Sequence, residues 1–276
     1  MFTLTFDDTM IGKDNSSYKL DRISPSMLGS YLTCPLAFYY GYIAKIEMPT
    51  TKLHLLFGSA IHLAIENMYD GHPNPAQIFA DKFKREDLDP EGQLSYQEYF
   101  LLGKEMVKNY LEFHPTIDKL YKLADGKQEF KFKMPLRHPI TGEMTRVPIS
   151  GILDRITNGG KIIEYKTSKT KWSADESRFK VQSLLYNLWY YTVHGEIADE
   201  TLYLVLLKKY KQTSRDEIVQ VISYKPTIED LAAAWEEIDF ILDKIESGNF
   251  ERPSHGHKPY CDCYKYENLL NVSTNN

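Results

Sequence analysis

Two carboxylates and a lysine stand in two neighbouring predicted strands. Residues 147–156 are rich in branched apolar side chains and residues 161–166 resume that pattern, with an Asn-Gly-Gly turn between them. Asn and Gly tolerate the positive φ that tight hairpins need. A hairpin symmetric about the first of these glycines puts Asp154 opposite Glu164, with Cβ atoms about 4.5–5.5 Å apart. Because side chains alternate faces with period 2, Glu164 and Lys166 share a face, and the three side chains are predicted to converge.

This grouping suits metal chemistry better than stability. Like charges that face each other across a ladder destabilise a sheet, whereas a divalent cation prefers such hard oxygen ligands. The Lys166 ammonium is able to orient a water or to stabilise a phosphorane-like transition state. The alternative from spacing alone is a surface strand on which Glu164 and Lys166 form a solvated pair, because one Asp and an E-x-K motif are common by chance.

The motifs around these residues follow a particular order. A G-x-x-D-R motif covers Gly151–Arg155, an E-x-K motif covers Glu164–Lys166, and a Q-x-x-x-Y motif covers Gln182–Tyr186, while an upstream G-x-x-x-H motif covers Gly58–His62. In this order they resemble the PD-(D/E)XK nuclease superfamily, specifically its RecB-like and Cas4-like exonuclease branch. The resemblance extends over about residues 22–266 and includes an opening segment with the pieces Ser24-Pro25-Ser26-Met27-Leu28, Tyr31-Leu32-Thr33-Cys34-Pro35 and Phe38-Tyr39-Tyr40.

The resemblance implies a restriction-endonuclease-like α/β fold, in which helices flank a mixed sheet and an N-terminal helical lobe covers the cleft. It also implies one or two divalent metals, Mg²⁺ or Mn²⁺, bound by His62, Asp154, Glu164 and the backbone carbonyl of Tyr165. Lys166 is then expected to orient or deprotonate the attacking water, or to stabilise the developing charge. The expected products are a 5′-phosphate and a 3′-hydroxyl.

Each of several other polar residues near this centre has either a role in the site or an ordinary structural role. Taken alone, His62 is a core or rim histidine of an amphipathic helix. Glu66 follows one turn later, either to hold the His62 imidazole or as a surface carboxylate. Gln182 and Tyr186 are also one turn apart. In a functional role they contact the scissile DNA strand or support Lys166; otherwise they are part of a partly buried helix face. Glu129 is expected to be exposed to solvent.

Basic residues around the last of these motifs are candidates for contacts with DNA phosphates. Phosphate contacts would make binding fall with salt, whereas a run of charges is more commonly a solvated face. The candidate residues are Arg155, Lys169, Lys171, Arg178 and Lys180, together with Lys208, Lys209 and Lys211.

The three cysteines depart from a large part of the resembled branch, in which one early and three late cysteines bind a four-iron cluster. Cys34 matches the early position, but only Cys261 and Cys263 occur late. Three thiolates do not complete a Cys₄ cluster, although His255 or His257 could supply a fourth ligand to a cluster or a zinc ion. We expect no iron–sulfur cluster, a Cys34 that packs as a small apolar residue, and a carboxyl-terminal segment that folds back on the first helix.

Composition indicates a single intracellular globular domain. The 276 residues are 42% hydrophobic, without a membrane-spanning run or an amino-terminal signal segment, and three cysteines are too few for a secreted disulfide framework. A cytoplasmic location is therefore expected. The net charge of −5 argues against a protein that coats DNA non-specifically, but it permits a local basic groove. Some of the 20 tyrosines are candidates to stack on unpaired bases.

Periodicity and capping signals divide the chain. We expect a flexible segment over 1–21, a nuclease domain over 22–266 and a tail over 267–276. The domain is divided into a helical lobe (22–125), an α/β catalytic core (126–250) and a return segment (251–266). Helices are predicted over 24–43, 54–69, 74–85, 94–114, 174–193 and 227–247, and strands over 127–135, 144–156, 161–166, 202–208 and 218–224.

Two functions from different classes follow. The first is a metal-dependent DNA exonuclease in recombination, repair, or phage or CRISPR-type DNA processing. The second is a DNA-binding or scaffold subunit of a helicase–nuclease complex that kept the fold without cutting DNA. The chain has no Walker-type motif, so any unwinding has to come from a partner protein. The presence of Asp154, Glu164 and Lys166 favours the nuclease.

Overall fold

A five-stranded mixed sheet with helices on both faces forms the centre of the protein, as the sequence predicts. The computed structural model describes residues 18–48, 51–84, 88–89, 95–173, 177–209, 215–252 and 261–274. Within these residues, no helix combines the length and the apolar character that a membrane span requires.

The secondary structure alternates from mainly helical to mainly β and back. The helices are α1 (Pro25–Thr33), α2 (Pro35–Phe38), a π-helical turn (Tyr39–Ile43), α3 (Leu53–Tyr69), α4 (Pro75–Lys82), α5 (Tyr96–Tyr121), α6 (Ser177–His194), α7 (Arg215–Ile218), α8 (Ile228–Glu246) and α9 (Asp262–Thr274). The strands are β1 (Thr51–Lys52), β2 (Leu88–Asp89), β3 (Gly126–Met134), β4 (Ile149–Thr157), β5 (Lys161–Ser168), β6 (Glu200–Leu207) and β7 (Val219–Tyr224).

The strands of the main sheet lie in the order in which they follow one another along the chain, from β3 to β7. All neighbours are antiparallel except β5 and β6, which run parallel because helix α6 connects them across one face. The β4–β5 hairpin pairs Arg155 with Ile163 and Ile156 with Ile162, which is the predicted register. This pairing stops one residue before Asp154 and Glu164.

Two hydrophobic cores cover the two faces of the sheet. On one face, α1, α6 and α8 pack together through residues such as Leu28, Trp189 and Ile238. On the other, α3, α4 and α5 pack against the apolar side chains of β5 and β6, with Phe57 and Tyr110 among the buried aromatics. The residues assigned to one helical lobe are therefore distributed over both faces, since α1 lies on one side and α3–α5 lie on the other.

The first predicted helix, 24–43, is wrong because it breaks at Cys34. Ser24 caps its start as predicted, since its hydroxyl accepts a hydrogen bond from the Met27 N–H. Cys34 is extended, with φ −159° and ψ 102°, because the ring of Pro35 disfavours helical backbone in the preceding residue. The chain restarts as α2, with the Cys34 Sγ as its N-cap acceptor.

The predicted end of the long helix at residue 114 is also wrong. Helix α5 passes through Pro115 and continues to Tyr121. Proline has no N–H, so the Leu111 carbonyl loses its usual partner in the helix. His114 Nδ1 lies 2.7 Å from that carbonyl oxygen and replaces the missing donor, while Ile117 is fully buried beyond the proline.

Smaller boundary differences have local causes. The strand predicted from 144 begins instead at Ile149, because Met144 forms a separate bridge with Arg137. Helix α9 extends through residues 267–274, which the sequence analysis assigned to a tail. Most of the segment expected to be flexible, 1–17, lies outside the described residues.

Gly151 provides a test of how the sheet and α6 pack. A Cβ at this position would lie 2.5 Å from the Phe132 ring and 3.0 Å from the Tyr186 ring. We expect Gly151→Ala to lower the free energy of unfolding in urea by about 1–3 kcal/mol through overpacking. Gly29 lies inside α1 with no atom within 4 Å of a built Cβ, so Gly29→Ala is expected to raise stability by about 0.5–1 kcal/mol. Equal effects of the two substitutions would contradict this account.

Candidate active site

The site begins where β4 and β5 separate. Beyond the Arg155–Ile163 pair, the Asp154 carboxylate takes the place of a backbone partner, and its Oδ2 accepts the Tyr165 N–H at 2.7 Å. On the other side, the β3–β4 pairing omits the Glu129–Asp154 position, where Glu129 has a φ of 40°. Both ladders are thus interrupted at Asp154, which is only 7% exposed.

Glu164 is the most deeply buried carboxylate of the group, with 2% of its surface exposed. Its Oε1 accepts hydrogen bonds from Lys166 Nζ at 2.5 Å and from Gln182 Nε2 at 2.7 Å. Its Oε2 is buried and has no hydrogen-bond partner among the described residues. A buried carboxylate oxygen without a partner is costly, so this atom is suited to a ligand that the protein itself does not supply.

His62 approaches Asp154 from the face of the sheet that α3, α4 and α5 cover, whereas Gln182 approaches Glu164 from the face that α6 covers. His62 lies on α3, and its Nδ1 is 3.5 Å from Asp154 Oδ1. Glu66, one turn further, is half-buried. Burial, together with the negative charge of Asp154, raises the pKa of Glu66 to about 7. Glu66 therefore lies in the electrostatic field of the site, although no hydrogen bond joins it to the imidazole in the described structure.

The charges of the site are strongly coupled. Burial and the negative charge of Asp154 raise the pKa of Glu164, the Lys166 ammonium opposes them, and the net pKa is about 7. Burial also raises the pKa of Asp154, but His62 and Lys166 outweigh it, so that the net change is downward. Two buried carboxyl groups this close favour one shared proton or an added cation.

Helix α6 supports Glu164 through a short chain of hydrogen bonds. Gln182 Nε2 also donates to the Tyr186 hydroxyl at 2.8 Å, and that hydroxyl donates to the Ile152 carbonyl at 2.7 Å. Burial raises the pKa of Tyr186 well above its ordinary value, so the phenol keeps its proton and can donate. This series of hydrogen bonds links β4, α6 and β5, and it holds the Gln182 amide against the Glu164 carboxylate.

The donor set fits a divalent metal, although its members are spread apart. Two carboxylates and an imidazole are ligands that Mg²⁺ or Mn²⁺ accepts, and the unpartnered Glu164 Oε2 is an available one. Among the described residues, only the three cysteines form a group of three or more potential metal ligands whose ligand atoms all lie within 4.8 Å of one another. A metal held jointly by His62, Asp154 and Glu164 therefore requires a side-chain adjustment.

Comparison with known proteins agrees with this geometry. The family model of the PD-(D/E)XK nuclease superfamily matches residues 22–265. The chain belongs to this superfamily. Asp154 of the G-x-x-D-R motif and Glu164 and Lys166 of the E-x-K motif stand together where the two strands separate.

Similarity to solved structures supports the superfamily fold. A protein from Eubacterium rectale described as "Putative exonuclease" aligns at 14% identity and a TM-score of 0.54, covering 96% of this chain and 94% of that chain. SSO0001 aligns at 14% identity and a TM-score of 0.32, covering 76% of this chain and 83% of that chain, which is too distant to carry an argument. No curated protein matches the sequence.

The basic residues predicted to contact DNA have different positions in this superfamily member. Arg155 is 2% exposed, donates to the Ala124 carbonyl at 3.0 Å and lies over the Tyr69 ring, so its position gives no support to a DNA contact. Lys169 and Lys171 are exposed, and Lys169 lines a cavity together with Lys166. Glu129 is exposed as expected and pairs with Lys131. The side chains of Arg178, Lys180 and Lys211 lie outside the described part of the chain.

The three cysteines meet where α9 returns to α2. Their sulfur atoms all lie within 4.8 Å of one another, and the Cys261 and Cys263 sulfurs are 2.9 Å apart. Cys34 and Cys263 are buried among Leu36, Ala37 and Tyr40. Burial raises the pKa of both thiols. The return of the carboxyl-terminal segment is as predicted, while His255 and His257 lie outside the described residues.

Two backbone groups that hold side chains of the site were not predicted from the sequence. The Tyr165 N–H holds Asp154, and the Ile152 carbonyl holds Tyr186. Their roles depend on the separation of two strands rather than on residue type, so no side-chain pattern indicates them. The nearest sequence signal is the glycine at 151, which leaves space for the Tyr186 ring.

The hydrogen-bond chain from α6 can be tested by removing one hydroxyl. We expect Tyr186→Phe to lower the free energy of unfolding by about 1 kcal/mol, because the Ile152 carbonyl loses its buried donor. Tyr264 is an exposed tyrosine on α9, and Tyr264→Phe is the matched control. Chemical unfolding monitored by circular dichroism measures both variants. A Tyr186→Phe stability equal to that of the control would show that the bond contributes nothing.

Proposed function

We propose that this protein is a divalent-metal-dependent deoxyribonuclease that acts as an exonuclease on linear or single-stranded DNA ends. The observation that carries the proposal is the meeting of Asp154, Glu164 and Lys166 at the β4–β5 separation, where Glu164 Oε2 is buried without a partner. Superfamily membership supports the nuclease chemistry. The Eubacterium rectale protein, described as a "Putative exonuclease", supports the choice of exonuclease.

In the proposed mechanism, His62, Asp154, Glu164 and the Tyr165 carbonyl would hold Mg²⁺ or Mn²⁺ after a side-chain adjustment. The bound ion would lower the pKa of the attacking water and neutralise charge on the phosphate. Lys166 Nζ orients that water or takes up developing negative charge. The water oxygen forms a bond to phosphorus as the bond from phosphorus to O3′ breaks, which leaves a 5′-phosphate and a 3′-hydroxyl.

Gln182 and Tyr186 act in this mechanism through Glu164. With Gln182 donating to one carboxylate oxygen, the other oxygen is left to face the metal. Lys169 and Lys171 follow β5 and are exposed, and we propose that they contact DNA phosphates. These contacts would make DNA binding weaken as salt increases.

The finer assignment is to the RecB-like and Cas4-like branch, with a role in DNA repair, recombination or the processing of phage or CRISPR DNA. The order of the G-x-x-x-H, G-x-x-D-R, E-x-K and Q-x-x-x-Y motifs supports this assignment. A helicase or recombination protein is the proposed partner, because an exonuclease that acts on single strands needs unwound DNA.

Cleavage of end-labelled DNA tests the enzyme. With Mn²⁺ or Mg²⁺, we expect the wild type to degrade linear DNA, and Asp154→Ala and Lys166→Ala to reduce the rate at least about a hundredfold. Glu129→Gln is the matched control, because Glu129 aligns with Asp154 in the sheet but is exposed. Calorimetric titration with Mn²⁺ in the absence of DNA is expected to show weaker binding in Glu164→Gln and unchanged binding in Glu129→Gln.

Each part of the proposal has its own contrary outcome. A wild type that cuts no substrate with either metal would refute the enzyme. Tight DNA binding in that case would favour the scaffold subunit instead. Cleavage of closed circles as fast as linear DNA would refute the exonuclease assignment alone.

We further propose that the three cysteines are packed thiols without an iron–sulfur cluster. Their number supports this, since the described residues offer no fourth cysteine. Protein purified anaerobically is expected to lack an absorbance band near 400 nm, to contain no stoichiometric iron or zinc by elemental analysis, and to show three reactive thiols after unfolding. Stoichiometric metal that disappears in Cys34→Ala would contradict the proposal.

A further inference from the structure

Lys208 stands at the same edge of the sheet as the candidate active site. It follows β6 directly, and its backbone N–H donates to the carbonyl of Ser168 at the end of β5 at 2.7 Å. Strand β5 carries Lys166 two residues earlier, and β5 and β6 run parallel in register. The end of β6 therefore lies beside the end of the strand that carries Glu164 and Lys166.

Among the described residues, the ammonium of Lys208 has aromatic neighbours and no anionic partner. Its ammonium lies 4.9 Å from the centre of the Phe57 ring and 5.6 Å from that of Tyr99, and no described carboxylate forms an ion pair with it. Burial, together with the positive charge of Lys169, lowers the pKa of Lys208 to about 8. Aromatic faces stabilise the cation only in part, so an anionic ligand would stabilise this arrangement.

A cavity of about 410 Å³ opens beside Lys208, and we name it the cationic pocket. Its wall contains three lysines, two hydroxyl side chains and no carboxylate from the described residues. The lining residues are Lys166, Thr167, Ser168, Lys169, Trp172, Gln182 and Lys208.

The cationic pocket joins the candidate active site. Lys166 and Gln182 also line a larger cavity of about 1100 Å³ between α1, β4 and α6, so these two residues stand at the boundary between both cavities. A DNA strand that crosses this boundary would have one phosphate at Lys166 and a neighbouring phosphate in the pocket.

We propose that the cationic pocket binds a terminal phosphate monoester of the DNA strand whose neighbouring bond is cut. A terminal monoester carries a charge of about −1.5 to −2, more than the single charge of an internal phosphodiester. This larger charge suits a pocket in which the Lys208 ammonium has no described carboxylate partner and Lys166, although paired with Glu164, adds a second ammonium. This inference rests on the proposed nuclease function. It makes Lys208 a residue that selects for the chemical state of the DNA end.

Binding without metal tests the pocket independently of cleavage. The probes are single-stranded oligonucleotides of one sequence, labelled with fluorescein at an internal base, with a 5′-phosphate, a 3′-phosphate or hydroxyls at both ends. In EDTA, we expect the wild type to bind one phosphate-ended strand about tenfold or more tightly than the hydroxyl-ended strand by fluorescence anisotropy. The favoured strand identifies which end occupies the pocket.

Three variants give the matched comparison. Lys208→Met keeps the aliphatic stem on the aromatic rings but removes the charge, and it is expected to abolish the preference. Lys208→Arg is expected to retain most of it. The neighbouring Lys209 is exposed, so Lys209→Met changes the net charge equally and is expected to leave the preference intact. Equal wild-type affinity for all strands, or an equal loss for all strands in Lys208→Met, would overturn the proposal.

Cleavage and stability separate this inference from the function on which it rests. If the wild type cuts no DNA but prefers a phosphate end in binding, the nuclease proposal fails and the pocket stands. If it cuts DNA without preference for a phosphate end, only the pocket fails. Lys208→Met is expected to keep or raise the melting temperature, because it removes a half-buried cation. A lower melting temperature together with weaker binding of every strand would mean that Lys208 supports the fold, and would overturn its role in recognition.

Discussion

The separation of β4 and β5 after the Arg155–Ile163 pair is the constraint on which the site depends. A continuous ladder would use the Tyr165 N–H in strand pairing, whereas here it is donated to the Asp154 carboxylate. This bond fixes one carboxylate in the gap and brings it towards Glu164 on the next strand. Burial of both carboxylates costs free energy unless cations or hydrogen-bond donors accompany them. Lys166 and His62 supply the positive charge, and Gln182 supplies a donor.

The two helical layers contribute to this point from opposite sides of the sheet. Helix α3 presents His62 to Asp154, and α6 presents Gln182 to Glu164. Each helix is held by its own hydrophobic core, so neither depends on the other for its position. A site built between two packed layers is rigid, and rigid placement of ligands and donors is what phosphodiester hydrolysis requires.

Much of the fold could be predicted from local patterns. The turn glycines and the alternation of side chains predicted the β4–β5 register, and the proline after Ser24 marked a helix start that the structure has. The errors occur where a side chain alters a local rule. Pro115 normally ends a helix, but His114 supplies a donor to the Leu111 carbonyl and α5 continues.

By itself, the sequence determined the superfamily motif, the residue types of the site and the register that aligns Asp154 with Glu164, because these depend on spacing along one or two strands. Only the tertiary structure decided that both ladders are interrupted at Asp154, that Arg155 is turned into the protein, and that three thiols meet. It also decided that Lys208 stands over two aromatic rings next to Lys166. These features arise from contacts between segments far apart in the chain, and such contacts leave no periodic signal in the sequence.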